Sequence, residues 1–121
     1  MITVILGASQ DPSSYSWAAA VRLEKSGFSF VPMSNKKGEL LGRKILDIND
    51  RPRIAEVHTI VVYLRAEKQK EWHEYLLSLN PKRIIFNPGA ENPELFKLAS
   101  EKGIMVENAC TLTLLSIGAY A

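Results

Sequence analysis

The first nine residues constrain the fold more than any other segment. Ile2-Thr3-Val4-Ile5-Leu6 carries no Asp, Glu, Lys or Arg and runs into Gly7-Ala8-Ser9. A strand without charge is buried on both faces, as a central strand of a parallel sheet is. A Gly turn after such a strand, leading into a helix, sets backbone N–H groups and a helix N-terminus at one place, which suits a phosphate. The turn reads Gly-Ala-Ser-Gln-Asp-Pro and not Gly-x-Gly-x-x-Gly. A nucleotide-like ligand is therefore expected here, without the ordinary dinucleotide fingerprint.

The rest of the chain alternates in the same way. A first helix is expected from near Tyr15 to before Gly27, capped by Ser13 or Ser14, with Trp17, Ala20, Val21 and Glu24 on neighbouring helical positions. Phe28–Met33 reads as strand 2. Residues 34–56 are the least regular part, with a short helix expected around Pro52–Glu56. His58–Leu64 reads as strand 3, another continuous apolar run. Glu67–Leu79 reads as a helix with Trp72, Tyr75, Leu76 and Leu79 on one face, ended by Asn80-Pro81. Arg83–Phe86 is strand 4. Asn92 and Pro93 open a helix to Lys102, and Gly103 closes it. Ile104–Glu107 is strand 5, and Thr111–Tyr120 is a last apolar helix or turn.

Crossovers of a dozen or more residues between strands require parallel pairing. Five such strands make an α/β fold, a small Rossmann-like doubly wound parallel sheet with helices on both faces. At 121 residues, 46% hydrophobic, the chain fits one domain, taken as 1–121, with a real core. The net charge of +2 gives no argument for a nucleic-acid partner or a membrane surface. No run approaches the roughly 18 apolar residues of a spanning helix. The N-terminus lacks the features of a signal peptide, and the single Cys cannot form an internal disulfide. A cytoplasmic protein is expected.

Ligands of such sheets bind at the carboxyl ends of the strands, where strand order reverses. That places the candidate site at Gly7–Ser9, Pro32–Lys37, Tyr63–Arg65 and Asn87–Gly89. After strand 2 an NAD site usually carries an acid for the ribose hydroxyls. This chain has Ser34-Asn35-Lys36-Lys37 and no acid until Glu39. Two lysines there suit a phosphate on the ribose, although lysines are also what a plain solvated loop carries. Residues 36–53 hold six Lys/Arg against three acids, so positive charge is expected near the ligand edge. Ser9, Gln10, Ser13 and Ser14 add hydroxyl and amide groups around the start of the first helix.

Together Val-Ile-Leu-Gly-Ala-Ser (4–9), Phe-Val-Pro-Met-Ser-Asn-Lys (30–36), Leu-Leu-Gly (40–42), Val-Tyr-Leu-Arg (62–65), Asn-Pro-Gly (87–89) and Glu-Asn-Ala-Cys (107–110) resemble the small CoA-binding proteins. These are the stand-alone form of the CoA-binding Rossmann domain that also begins the succinyl-CoA synthetase alpha subunit. The resemblance covers nearly the whole chain. It implies that Gly7, Ala8, Ser9 and Gln10 cradle the phosphates of coenzyme A or an acyl-CoA. It implies that the Pro32–Lys36 stretch meets the adenosine part, with Tyr63, Leu64 and Arg65 beside the adenine and pantetheine path, and that Gly89 and Cys110 match a Gly and a Cys of the family. Ser34-Asn35-Lys36 departs from the family's Asn-Pro-Lys, and Asn87-Pro88-Gly89 from its Gln-x-Gly. The full expected set is Gly7, Ala8, Ser9, Gln10, Ser14, Pro32, Ser34, Asn35, Lys36, Lys37, Tyr63, Leu64, Arg65, Asn87 and Gly89.

No catalytic set stands out. His58 and His73 lie away from the expected strand ends, and no metal-binding spacing occurs. Cys110 reads either as a small packed hydrophobe or as a partner for the thiol end of the ligand. Succinyl-CoA synthetase transfers phosphate with another domain, so the resemblance implies binding alone, as a sensor, carrier or regulatory partner. Two other readings stay open. One is a small oxidoreductase or other enzyme using NADP or another nucleotide in the same cleft. The other is an interaction module whose apolar tail (Leu112, Leu114, Leu115, Ile117, Tyr120) packs into the fold or into a homodimer; a partner enzyme is equally open.

Overall fold

A computed structural model describes residues 1–121. Strand β1 (Ile2–Leu6) leads to helix α1 (Tyr15–Lys25), then β2 (Ser29–Ser34). A hairpin of β3 (Glu39–Leu40) and β4 (Arg43–Lys44) follows, then β5 (Leu46–Asp47) and a 3-10 turn at Ile48–Asp50. Next come β6 (Val57–Val62), α2 (Ala66–Gln69), a 3-10 turn at Lys70–Trp72, and α3 (His73–Ser78). The chain ends with β7 (Arg83–Phe86), α4 (Pro93–Glu101), β8 (Met105–Asn108) and α5 (Thr111–Ser116).

The main sheet has six strands in the order β5-β2-β1-β6-β7-β8, every pair parallel. The chain walks outward from β1 to β5, returns, and walks outward again from β6 to β8. Strand order therefore reverses between β1 and β6. The unbroken apolar run of β1 explains its central place. Val4 and Leu6 join a core with Met33, Ile60, Trp72, Leu76 and Leu95, while Ile5 joins Ala20, Leu23, Phe30, Val61 and Tyr120 on the other face. Burying an Ile or Leu side chain fully contributes about 1.5–3 kcal/mol, so these layers fix which face each residue takes.

Local signals set the helix ends. Ser14 Oγ accepts from Trp17 N–H at 3.1 Å and caps α1. Gly27, at φ +81°, lets Phe28 N–H reach Leu23 O at 2.9 Å, closing the helix by a left-handed turn. Asn92 Oδ1 accepts from Leu95 N–H at 3.1 Å, with Pro93 next in the chain.

Several expectations need correction. The sheet has six strands where five were expected, because two-residue β5 adds to the edge of β2 at Met33 and Ser34. Strand 2 starts at Ser29 and strand 3 spans Val57–Val62, releasing Tyr63 and Leu64 into the strand-end loop. No helix forms around Pro52–Glu56; the only helical turn in this stretch is at Ile48–Asp50. The Glu67–Leu79 helix is interrupted at Lys70–Trp72. A 3-10 turn brings residues three apart into line, and here it turns both Gln69 and Trp72 into the protein, at 0% and 6% exposure. The last helix stops at Ser116, and Tyr120 folds back so that its hydroxyl meets Thr3 Oγ1 at 2.5 Å.

Candidate functional site

The strand-end loops meet at the switch point between β1 and β6. Gly7 sits there at φ +89°, and a Cβ in its place would come within 3.2 Å of Leu64 N and the Tyr63 carbonyl carbon. Only a residue without a side chain lets the first loop lie this close on the backbone after β6. Gly7 N–H and Ala8 N–H both donate to Met33 O, at 2.9 and 3.1 Å, tying the same loop to β2. Ala8 is buried, so its side chain packs the loop down onto the fold.

Beyond Ala8 the loop folds around Asp11. Ser9 N–H donates to Ser16 Oγ at 3.1 Å, and Ser9 Oγ accepts from Asp11 N–H at 3.1 Å. Ser13 donates to Asp11 Oδ1 through N–H (2.9 Å) and hydroxyl (2.8 Å). These bonds hold the Asp11 carboxyl below the usual range, so it stays charged at the mouth of the loop. Ser14 Oγ donates to Asp11 O at 2.8 Å besides capping α1. Most hydroxyls expected to face a phosphate are thus committed to the loop's own fold. The N–H groups of Gln10, Tyr15 and Ser16 have no acceptor within the chain, and these point to where an anion is favoured at a helix N-terminus.

The lysine loop is brought alongside. Gln10 Oε1 accepts from Glu39 N–H at 3.5 Å, and the Gln10 side chain lies against the α-carbon of Gly38. Ser34 Oγ accepts from Lys36 N–H at 3.2 Å, which turns the chain after β2. Asn35, Lys36 and Lys37 are exposed between these two fixed points. Pro32 is buried mid-strand opposite Ile5, and Ser34 is buried at the strand's end, so neither presents its side chain at the surface. The positive segment does not all gather here. Arg43 pairs with Glu24 at 3.0 Å and lies 4.0 Å over the Phe30 ring. Arg51 and Arg53 line an open cleft of about 820 Å³ between residues 51–56 and α3, which includes none of the strand-end residues. Glu71 and Glu74 line that cleft together with its arginines, so its charge is mixed. At the switch point the free backbone N–H groups of the first loop lie on the same edge of the sheet as the loop that carries Lys36 and Lys37.

On the other side the loops are built inward. The Tyr63 hydroxyl is buried without a hydrogen-bond partner, as is that of Thr111. Burial pushes the Tyr63 phenol up to about 12. Leu64 is half-buried; Arg65 is exposed, with Glu67 at 3.9 Å. Asn87 donates to Val62 O at 3.1 Å and accepts from Thr111 N–H at 2.8 Å, which fastens β6 to α5. Gly89 N–H donates to Glu91 Oε1 at 2.9 Å. Cys110 is half-buried before α5, and its thiol is lowered by the Thr113 hydroxyl and by the backbone N–H groups of Thr113 and Leu112, against a burial effect that raises it. His58 sits within β6, its Nδ1 2.8 Å from Thr59 Oγ1, and His73 is buried beside Asn92.

Two residues escaped the sequence reading, Gln69 beneath the site and Tyr15 beside it. Gln69 donates to Leu64 O at 2.7 Å and to Ala90 O at 2.9 Å, and Asn92 Nδ2 donates to Gln69 Oε1 at 2.9 Å. The signal available was a Gln on the apolar stripe of a helix, three residues before Trp72. Tyr15 was placed only as a helix start, but at 76% exposure its ring stands free beside the loop.

A doubly wound parallel sheet with a Gly turn, a capped helix and lysines at its switch point defines a nucleotide-binding class of protein. The family model of the CoA binding domain matches residues 2–116, and the chain belongs to that family. Among solved structures, one described as an uncharacterized protein is 46% identical, with 98% of this chain and 96% of that one covered and a TM-score of 0.94. The structure of cell-free ID.343 from Thermus thermophilus is 24% identical over 94% of this chain and 89% of that one, TM-score 0.80. A hypothetical protein from Pyrococcus horikoshii OT3 is 24% identical over 92% and 78%, TM-score 0.77. The last two share the fold. No protein of curated function matches the sequence. No helix is long and apolar enough to cross a membrane.

Proposed function

We propose that the protein binds coenzyme A or an acyl-CoA across the carboxyl ends of β1, β2 and β6, and performs no chemistry on it. The observation that carries this reading is the Gln10–Glu39 contact, which draws the lysine loop beside the first loop. The pyrophosphate takes the N–H groups of Gln10, Tyr15 and Ser16. Lys36 and Lys37 take the 3′-phosphate on the ribose, the group that distinguishes coenzyme A from NAD. The pantetheine arm runs over Leu64 toward Gly89. Membership of the CoA binding domain family supports the ligand class. The absence of chemistry is argued from the arrangement at the strand ends, where no nucleophile is hydrogen-bonded to a general base. Such a protein serves as a sensor, a carrier or a regulatory partner for another enzyme.

Titration calorimetry with coenzyme A and acetyl-CoA tests the proposal. Saturable heat that weakens with dephospho-CoA supports it. A folded protein giving no heat with any of these overturns it. NADP also carries a ribose phosphate that the lysines suit, and stronger heat with NADP than with coenzyme A would favour the oxidoreductase reading.

A further inference from the structure

The two edges of the sheet end differently. At one, β5 holds two residues and the chain passes at once into the 3-10 turn at Ile48–Asp50. At the other, β8 runs for four residues, Met105-Val106-Glu107-Asn108, with no Pro, Lys or bulge to discourage pairing. Its outer side has no neighbouring strand. Met105 N–H donates to Lys82 O at 3.0 Å and Ala109 N–H to Phe86 O at 3.1 Å, so the odd-numbered residues turn their backbone groups toward β7. The pleat then turns the N–H groups of Val106 and Asn108, and the carbonyls of Ile104 and Val106, outward. The side chains leave the edge open as well. Met105 is 61% exposed, and Val106 is only partly covered by the core.

The edge is also polarised along its length. At the end where the strands begin, Arg83 stands opposite Met105 in the register. Its guanidinium is buried: Nε donates to Thr59 Oγ1 at 3.1 Å, the central carbon lies 4.7 Å from the Tyr120 ring centre, and Nη2 has no acceptor. No carboxylate of the chain pairs with it. Exposed Lys82, next in the chain, adds a second positive charge. Toward the other end, the one charge of β8 is Glu107, half-buried, unpaired, and on the same face of the sheet as Arg83.

We propose that two copies of this chain pair antiparallel through β8, about a two-fold axis at Val106, and join their six-stranded sheets into one. The outward backbone groups and the charges select this register. At Val106 the two N–H groups and carbonyls exchange with each other, and each Asn108 N–H meets the Ile104 carbonyl of the second copy. Glu107 of one copy then faces Met105 of the other and comes level with its Arg83, two strand spacings or about 10 Å away. An axis at Glu107 sets two carboxylates directly opposite, which is unfavourable. Axes at Met105 or Asn108 push part of each strand past the end of the other. Antiparallel pairing points the carboxyl ends of the two sheets in opposite directions, so both ligand edges stay open. The pairing does not depend on which ligand they take.

Sedimentation velocity over a wide range of concentration is expected to show a reversible monomer–dimer equilibrium. Hydrogen exchange on dilute and concentrated protein reads the register. The amides of Val106 and Asn108 are expected to slow with concentration, while those of Met105 and Glu107, already bonded to β7, do not change. Val106→Pro removes an N–H that the monomer does not use, at an edge position where Pro is tolerated. It is expected to keep the wild-type circular dichroism and to weaken the dimer about thirtyfold or more, the loss of one hydrogen bond in each copy. Glu107→Lys is expected to weaken it too, by a factor that shrinks as salt is added. A protein that stays monomeric at every concentration overturns the proposal. So does a dimer that Val106→Pro leaves intact, or one whose added protection misses Val106 and Asn108. The exchange pattern of the wild type decides the matter even where a variant fails to fold.

Discussion

After β1 and β2 the chain leaves the sheet in exposed polar loops; after β6 and β7 it leaves in loops whose side chains turn inward. On the first side Asn35, Lys36 and Lys37 are exposed, and the backbone donors of Gln10, Tyr15 and Ser16 are free. On the second side Asn87 is 2% exposed and joined to Val62 and Thr111, and Gln69 is fully buried and joined to Leu64 and Ala90. The difference teaches a division of labour: under the proposed reading the first half meets the ligand's charge, while the second half is built to hold the floor beneath it. Substitutions in the second half should cost stability; those in the first should cost affinity and leave stability nearly intact.

The largest effect is expected from Gln69→Leu. It strands the carbonyls of Leu64 and Ala90 and the amide of Asn92 in the interior, and each lost partner costs about 1–3 kcal/mol. Denaturant unfolding should show a loss of about 3–5 kcal/mol; a loss below about 1 kcal/mol would break the comparison. Gly7→Val follows. A branched side chain at φ +89°, pressed on the backbone of Tyr63 and Leu64, should cost about 2–4 kcal/mol and abolish binding in the same protein, since Gly7 belongs to both halves.

Tyr63 gives a pH signature of the inward half. In the unfolded chain its phenol ionises near 10; in the fold burial holds it to about 12. The proton leaves the unfolded state first, so the contribution is complete below pH 10 and disappears as pH rises to 12. The two-unit gap corresponds to about 2–3 kcal/mol. Unfolding curves at rising alkaline pH should fall less steeply for Tyr63→Phe. Tyr75, likewise pushed up to about 12 by burial, keeps part of the slope in that variant.

Lys36→Glu should leave the unfolding midpoint unchanged and weaken coenzyme A by about ten- to a hundredfold, the size of one charge-assisted hydrogen bond. Equal binding in wild type and variant would make Lys36 a plain surface residue. The smallest effect is expected at His58, whose basicity is lowered by burial and then by Arg83 and Lys82. The folded state resists taking its proton, so stability is full above the ordinary histidine range and declines as pH falls through it; His58→Gln should flatten that acid decline.

Much of this was legible in the sequence. Uncharged Ile2–Leu6 and His58-Thr-Ile-Val-Val announced central strands, because burial on both faces excludes charge. Ser14, Gly27, Asn92 and Gly103 announced helix ends through caps that depend on a few adjacent residues. The short pieces were not legible. β5 holds two residues and exists because Met33 and Ser34 offer an open edge, and such pairing leaves no periodicity to read. The break at Lys70–Trp72 follows Gln69, whose amide bonds carbonyls of two loops, and such distant partners leave no local signal to read. The strand-end loops were legible as loops, and their side chains only partly. Pro32, Ser34, Tyr63 and Asn87 stand at the expected positions along the chain, but which way each points is decided by partners far away in sequence.

The most direct test of the division is a coenzyme A titration followed by backbone amide shifts. The account predicts the largest changes at Gly7–Ser16 and Asn35–Glu39, smaller ones at Leu64 and Gly89, and none in the cleft of Arg51–Glu56 and α3. Largest changes in that cleft, with the first loop still, would contradict it.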